Sequence, residues 1–284
     1  MTAVGFPEKI EGIIFTEIIP EFLPLFAPKK LVELGAVVRQ RSRTRLYEPL
    51  TDSLRKIQWV KLVGMKAISI ERSILEAMEP HACMLDPLGQ TAHALCVTDC
   101  LIHTKSALDS MAVFLTDLLE LDEKAGDRDF KKNKFRQSLY QKDTFLKYNI
   151  KKLEPWFLEL QEIRDEWIHR SSIRCSIIHG PTNVGILPIP KKMTGHFGDQ
   201  QKLALTKENF WSTEDFANHH YSNLQTLFLV IIERALQIER QALSEPLAIP
   251  SEVEKQLTTF PMLVTENMQI EKMKVHYRKS PVDW

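Results

Sequence analysis

Glycine and proline are spread unevenly along this 284-residue chain, and the long stretches without them constrain its fold most. Neither residue occurs in residues 90–125, 127–154, 156–179 or 199–245, whereas residues 180–198 contain seven of them. Because both residues interrupt helices, the uninterrupted stretches predict long helices and the segment 180–198 predicts a loop or a small hairpin. The fold class that follows is a mainly helical, up-and-down bundle with a small insertion.

Three of the predicted helices carry apolar stripes, and two of them also carry start signals. Asp86 followed by Pro87 is typical of an N-cap and a first helical position. A second helix is expected from Leu153, and Ser212 with Asp215 three residues later predicts the start of a third. We expect these helices to form the core through apolar side chains at helical spacing, which include Trp156, Leu160, Ile163 and Trp167 on the second helix and Phe216, Leu224, Leu227, Phe228, Ile231, Leu236 and Ile238 on the third.

Proline content divides the chain into three parts. Prolines at positions 7, 20, 24, 28 and 49 predict that residues 1–80 form an N-terminal extension of short pieces, with one helix from about Ile68 to Glu79. Residues 81–245 are predicted to be the helical bundle. Residues 246–284 again become irregular and are predicted to be a C-terminal arm.

Composition excludes several classes of protein. Thirty-seven Lys and Arg balance 37 Asp and Glu, so binding to nucleic acid or to anionic lipid requires local patches. No apolar run approaches the roughly 20 residues of a membrane-spanning helix, and the first residues lack a secretory signal pattern. Four cysteines without C-x-x-C spacing favour reduced, buried thiols. We expect a soluble, cytoplasmic protein without a metal or cofactor.

The end of the second core helix carries the most informative group of polar residues. At 100° per residue, Asp165 and His169 lie about 200° and 240° from Ile163, away from the apolar stripe. Residues four apart are neighbours on a helix, so the Asp165 carboxylate is placed to orient the His169 ring, with Arg164 beside it. Such a group suits phosphoryl chemistry, because Arg binds phosphate oxygens and His transfers protons near neutral pH.

Arg164, the polar Asp165, three further residues and then His169 resemble the R-polar-x-x-x-H signature of HEPN domains, the higher eukaryotes and prokaryotes nucleotide-binding family. The resemblance covers about residues 86–245. It implies a bundle of four or five helices and a homodimer in which the two motifs meet in a shared cleft. Many members of that family are metal-independent endoribonucleases of toxin–antitoxin, phage-defence or RNA-processing systems.

The resemblance also implies a role for each residue. His169 would be the acid/base, Arg164 would hold the scissile phosphate, and Asp165 would support them. The implied reaction is attack of a ribose 2′-OH on the adjacent phosphate, which leaves a cyclic phosphate end. The implied partners are RNA and an antitoxin or a nucleotidyltransferase, and the alternative function is a non-catalytic module that binds a nucleotide or a protein.

Two alternatives to this motif stay open at the level of sequence. The polar residues also fit a solvated helix face on which Glu166 pairs with Arg170. Arg174 and His179 repeat the spacing, but Cys175 replaces the polar residue there, and a helix C-terminus capped by the imidazole is the simpler interpretation. Arg174 and His179 are therefore secondary candidates.

Two basic clusters are candidates for contact with RNA, and each also fits a solvated loop or face. Four arginines alternate with polar residues, a period of two that in a strand would place them on one face against a phosphate backbone; they are Arg39, Arg41, Arg43 and Arg45. The second cluster interleaves basic residues with aromatic rings, and bases can stack on such rings. It contains Lys131, Lys132 and Lys134 with Arg128, Arg136, Phe130 and Phe135.

Metal-ligand residue types also recur along the first core helix, at His93, Cys96, Cys100 and His103. His93 and His103 would lie about 15 Å apart along the helix axis, which is too far for one tetrahedral site. A buried helix seam is therefore the favoured interpretation.

Overall fold

The computed structural model describes the helical part of the chain and five short strands. The described residues are 10–11, 28–77, 87–122, 124, 127–169, 176–177, 185–188, 210–244 and 278–279. The side chains of residues 166–169 and of most strand positions lie outside this description.

Helices dominate the described residues. They are α1 (Pro28–Gln40), α2 (Tyr47–Ala77), α3 (Pro87–Leu119), α4 (Asn133–Lys142), α5 (Thr144–Ile150), α6 (Glu154–His169) and α7 (Thr213–Gln241). Short 3-10 turns, Thr44–Leu46 and Lys151–Leu153, precede α2 and α6. The prediction of a mainly helical bundle is confirmed, and a HEPN-like arrangement of its helices stays a prediction.

The strands form two small antiparallel sheets. β1 (Ile10–Glu11) pairs with β5 (Arg278–Lys279), and β3 (Gly185–Pro188) lies between β2 (Ser176–Ile177) and β4 (Phe210–Ser212). In the larger sheet Ile186 is opposite Ser176 on one side and Ser212 on the other. Of the segment 180–198, the structure describes the four residues of β3, which pair with β2 as the second strand of a hairpin. The other positions of the segment lie outside the described residues.

One hydrophobic core joins the helices. Helices α2, α3 and α7 contact one another along their lengths, and α1 packs on α7. Fully buried side chains from several helices meet there, including Ile57, Leu101, Leu115, Leu146 and Phe228. The core therefore contains α2, which residue spacing did not predict as a core helix.

The predicted helix starts are confirmed where they are described. α3 begins at Pro87, and the Ser212 hydroxyl accepts a hydrogen bond from the Asp215 amide at 2.9 Å at the start of α7. Trp156, Leu160 and Ile163 on α6 are buried as predicted. The Asp86 cap and the Trp167 side chain lie outside the described residues.

The expectation of short pieces is wrong for residues 28–67, which contain α1 and the first two thirds of the 31-residue α2. The helix predicted from Ile68 is the last third of α2 as far as Ala77. Pro28 is the first residue of α1 and Pro49 is the third residue of α2. A proline in the first turn breaks no helix, because the amide groups there have no partner within the helix. The division into extension, bundle and arm stays a prediction.

The stretch 127–154 contains two short helices instead of one long helix. Asp143 interrupts them with an extended backbone, and its carboxylate accepts a hydrogen bond from the Leu146 amide at 2.8 Å. The same carboxylate accepts a hydrogen bond from Arg234 Nε at 2.6 Å. An aspartate with these two partners starts a new helix without any glycine or proline.

Gly64 lies where α2 approaches α7 most closely. A Cβ atom at this position would be 2.8 Å from the Cβ of Ala217. We expect Gly64→Ala to lower the free energy of unfolding by about 1–3 kcal/mol, because the overlap outweighs the helix propensity of alanine. Denaturant unfolding measures the change.

Gly35 on α1 is the matched control for that substitution. A Cβ there would meet only the Tyr47 ring, at 3.4 Å. Gly35→Ala is expected to raise the free energy of unfolding by about 0.5–1 kcal/mol through helix propensity. Stabilisation by both substitutions would contradict the close approach of α2 and α7.

The buried imidazole of His220 makes the fold sensitive to acid. Trp156 Nε1 donates a hydrogen bond to His220 Nδ1 at 3.0 Å, which requires the neutral ring. Burial, and to a lesser extent His219, lowers the pKa of His220 from 6.5 to about 3. As pH falls below about 6.5, the unfolded chain binds the proton first, so the native state loses up to about 1.4 kcal/mol per pH unit.

This dependence is measured by urea unfolding between about pH 7 and pH 4.5. His220→Asn keeps an acceptor for Trp156 Nε1 but has no ionisable group, so we expect a shallower loss of stability over the same range. An equal pH dependence in the wild type and the variant would contradict this role of His220.

Candidate functional site

Helix α6 carries the backbone of the whole Arg164 to His169 motif, since the helix ends at His169. Ile163 is 2% exposed, whereas Arg164 and Asp165 are half-buried, as the helical phase predicts. Asp165 Oδ2 accepts a hydrogen bond from Gln161 Nε2 at 3.4 Å. The His169 side chain lies outside the described residues, so its orientation by Asp165 stays a prediction.

Arg164 lines a recess between α3, α6 and the turn before α4, which we call the α3–α6 recess. Its polar lining comes from Lys105, Asp129, Lys131, Gln161 and Arg164, and its apolar lining from Leu108, Phe157 and Leu160. The recess therefore brings Arg164 of the motif together with Lys131 of the second basic cluster. Lys105 and Asp129 complete it and were not predicted as site residues.

The charges around the recess leave an excess of positive charge. Lys105 pairs with Asp109 and lies 3.3 Å from Asp129 Oδ2. The other Asp129 oxygen, Oδ1, accepts a hydrogen bond from the Lys131 amide at 3.0 Å. Asp109 and Asp129 therefore compensate Lys105, and the excess of positive charge at the recess comes from Arg164 and Lys131. The recess itself has a volume of only about 10 Å³, room for about one water molecule, so an anion would contact Arg164 and Lys131 at its opening. The planar guanidinium of Arg164 is suited to two oxygens of a phosphate there.

Aromatic packing holds the turn that presents Lys131. The Phe130 ring stacks on Phe157 of α6 with centroids 5.1 Å apart, and it meets Phe135 edge to face at 5.5 Å. Phe130 and Phe135 are almost completely buried. The prediction that these rings stack on bases is therefore wrong, because they fix the turn to the core.

The remaining lysines of the second cluster are paired within the protein. Lys132 and Lys134 lie 3.0 Å and 3.4 Å from the carboxylate of Asp127. Hydrogen bonds from these two lysines lower the pKa of Asp127. Of the three predicted RNA-binding lysines, only Lys131 lines the α3–α6 recess.

The predicted strand of alternating arginines is wrong. Arg39 lies in the last turn of α1, Arg41 follows in a turn, and Arg45 belongs to a 3-10 turn. Ser42 between them has a φ of 55°, which ends the helix. The four side chains therefore share no face, and only Arg39 and Arg45 are exposed.

The other two arginines of this run bind a buried carboxylate. Arg41 Nη1 and Arg43 Nη1 lie 2.6 Å and 2.7 Å from the two oxygens of Glu239, which is 0% exposed. Arg43 Nη2 also donates a hydrogen bond to the carbonyl oxygen of Asp117 at 2.7 Å, near the end of α3. These two residues stabilise the fold and are not available to RNA.

Of the metal-ligand residue types on α3, His93, Cys96 and Cys100 are buried and His103 is half-buried. His93 Nε2 lies 2.9 Å from Thr213 Oγ1, and His103 stacks on Trp59. Burial raises the pKa of Cys96 to about 11 and that of Cys100 to about 12. Among the described residues no group of three or more His, Cys, Asp or Glu side chains is placed to hold a metal ion.

The secondary candidates Arg174 and His179 lie outside the described residues.

Where the structure describes helices, none is long and apolar enough to cross a membrane.

For Lys105, the sequence offers one signal, its spacing of four residues from Asp109. That spacing is typical of ion pairs on exposed helix faces and does not predict a site residue.

Comparisons of the chain with models of protein families, with curated proteins and with solved structures find no match. The link to HEPN domains therefore rests on the residues of the motif itself, Arg164, Asp165 and His169, and on the helical bundle that carries them.

Proposed function

We propose that this protein is an RNA-binding helical bundle that cleaves RNA without a metal ion, with Arg164 and His169 as its catalytic residues. The observation that supports it most is the α3–α6 recess, in which Arg164 stands with Lys105 and Lys131. Arg164 belongs to α6, which also carries His169, whereas Lys105 belongs to α3 and Lys131 to the turn before α4.

Arg164 has the chemistry required to hold the reacting phosphate. Its guanidinium is charged at any physiological pH and donates two parallel hydrogen bonds to phosphate oxygens. Lys131 adds positive charge that would stabilise the negative charge developing on those oxygens in the transition state, whereas Lys105 is already paired with Asp109 and Asp129. Leu108, Phe157 and Leu160 limit access of water to one side of the recess, which strengthens these interactions.

His169 would supply the proton transfer. It lies five residues after Arg164 on the same helix, about 7.5 Å further along the axis. In the proposed reaction it removes the proton from a ribose 2′-OH or protonates the leaving 5′-oxygen, so one product ends in a 2′,3′-cyclic phosphate. This role, the homodimer and an antitoxin or nucleotidyltransferase partner derive from the resemblance to HEPN domains.

The proposal is tested with end-labelled single-stranded RNA and DNA of the same sequence, each incubated with the purified protein in excess EDTA. We expect cleavage of the RNA alone, with cyclic phosphate ends. Cleavage of the DNA, or a strict requirement for a divalent cation, would contradict the mechanism. Binding of RNA without cleavage would leave a binding module in place of an enzyme.

A further inference from the structure

The segment from Lys142 to Lys152 carries a concentration of positive charge that the proposed function does not use. Four lysines lie within eleven residues and all are exposed; they are Lys142, Lys147, Lys151 and Lys152, which we call the lysine patch. An open groove of about 390 Å³ runs across it, lined by Thr144, Lys147, Tyr148, Lys151 and Lys152.

The one carboxylate within this segment, Asp143, and the first one after it, Glu154, both bind other protein groups. Asp143 is buried and binds Arg234 and the Leu146 amide. Glu154 accepts a hydrogen bond from the Tyr140 hydroxyl at 2.7 Å and lies 3.4 Å from Arg136 Nε. None of the lysines of the patch pairs with a carboxylate of the described residues. The surface of the segment is therefore cationic, in contrast to Lys132 and Lys134, which share the carboxylate of Asp127.

An exposed aromatic ring stands in the middle of the patch. Tyr148 is 68% exposed, the largest exposed fraction among the large apolar side chains of the described residues. Lys152 Nζ lies 3.9 Å from the centroid of the Tyr148 ring, yet most of the side chain remains in contact with solvent. An exposed ring among lysines combines a surface on which a base can stack with charges that follow a phosphate backbone.

From this arrangement we infer that the groove around Tyr148 binds single-stranded RNA, with one base stacked on Tyr148 and phosphates on Lys147, Lys151 and Lys152. The inference rests on the proposed function, to which it adds a second contact outside the α3–α6 recess. Helix α6 begins two residues after Lys152, and Arg164 lies about 15 Å along its axis from the first residue.

The inference is tested by binding of a fluorescein-labelled 2′-O-methyl RNA of about 12 nucleotides, measured by fluorescence anisotropy. This probe has the phosphates and bases of RNA but no free 2′-OH, so it cannot be cleaved. We expect Tyr148→Ala to weaken binding on the order of tenfold and Tyr148→Phe to have little effect, since stacking needs the ring alone. Thermal melting of Tyr148→Ala should match that of the wild type because the side chain is exposed.

Two lysine variants form the matched pair for charge. Lys151→Gln and Lys134→Gln each remove one exposed lysine, but only Lys134 has a carboxylate neighbour in Asp127. Lys151→Gln is expected to reduce affinity and to reduce the slope of log K against log salt by about 0.7, as for one phosphate contact. Lys134→Gln is expected to leave both unchanged.

Binding that is unchanged in Tyr148→Ala, or equal in the two lysine variants, would overturn the inference. It would also be overturned if the wild type bound vesicles of phosphatidylserine and phosphatidylcholine but not the RNA probe. Dependence of binding on Tyr148 without cleavage of unmodified RNA would uphold this inference and refute the proposed enzyme. Cleavage of RNA by the wild type, with binding of the probe unchanged in Tyr148→Ala, would uphold the proposed enzyme and refute this inference.

Discussion

Replacement of His169 by alanine is expected to lower the rate of RNA cleavage by about two to four orders of magnitude, the usual contribution of a general acid or base. The free energy of unfolding should change by no more than about 0.5 kcal/mol, because the helical phase places His169 away from Ile163 and the core. Single-turnover cleavage in EDTA and denaturant unfolding measure the two quantities.

His103→Ala is the control for loss of an imidazole. His103 is half-buried on α3, where it stacks on Trp59 with ring centroids 5.8 Å apart, and it does not belong to the motif. We expect this variant to cleave RNA at the rate of the wild type. A loss of several kcal/mol of stability in His169→Ala, with an unchanged rate per folded molecule, would make His169 a structural residue.

Glu239→Ala is expected to have the largest effect on stability, a loss of about 3–5 kcal/mol in the free energy of unfolding. Its carboxylate is 0% exposed and binds both Arg41 and Arg43. Removal of the carboxylate leaves two guanidinium groups without their partner at the junction of the α1–α2 turn, α3 and α7. Arg43 also holds the Asp117 carbonyl near the end of α3, so the loss extends to that contact.

Glu233→Ala is the matched control on the same helix. Glu233 pairs with Lys30, but the two side chains are 41% and 47% exposed. An exposed ion pair contributes about 0–1 kcal/mol, so the loss should stay within that range. Equal losses in the two variants, measured by denaturant unfolding, would contradict the account of the Glu239 cluster.

The parts of the fold that the sequence predicts are those with a local physical cause. Pro87 and Ser212 mark helix starts correctly, because each acts on the amide groups of the first turn. The prediction at Pro49 is wrong because the start of α2 at Tyr47 was not recognised. Without that start, a proline of the first turn is interpreted as a helix breaker. The break at Asp143 has a local cause in its N-cap bond to the Leu146 amide, but the same carboxylate also binds Arg234, which is 91 residues away and cannot be inferred from spacing.

The candidate site shows the same limit. Arg164 and Asp165 follow from spacing on one helix, and the structure keeps both out of the core. The convergence of Arg164 with Lys105 and Lys131 depends on how α3 and the turn before α4 pack on α6, which spacing does not encode. Spacing did not reveal that Arg41 and Arg43 pair with Glu239, which is 198 residues from Arg41 in sequence. Contact of the exposed Arg39 and Arg45 with RNA stays a prediction.

The most direct test of the account is the rate of single-stranded RNA cleavage in excess EDTA by Arg164→Lys beside Lys134→Gln. Arg164 is predicted by the motif and lines the recess, whereas Lys134 is paired with Asp127. Lysine keeps the charge but loses the planar fork, so we expect Arg164→Lys to cleave about 10²-fold more slowly and Lys134→Gln to match the wild type. If Arg164→Lys cleaved RNA at the rate of the wild type, this result would contradict the central claim that the Arg164 guanidinium holds the reacting phosphate.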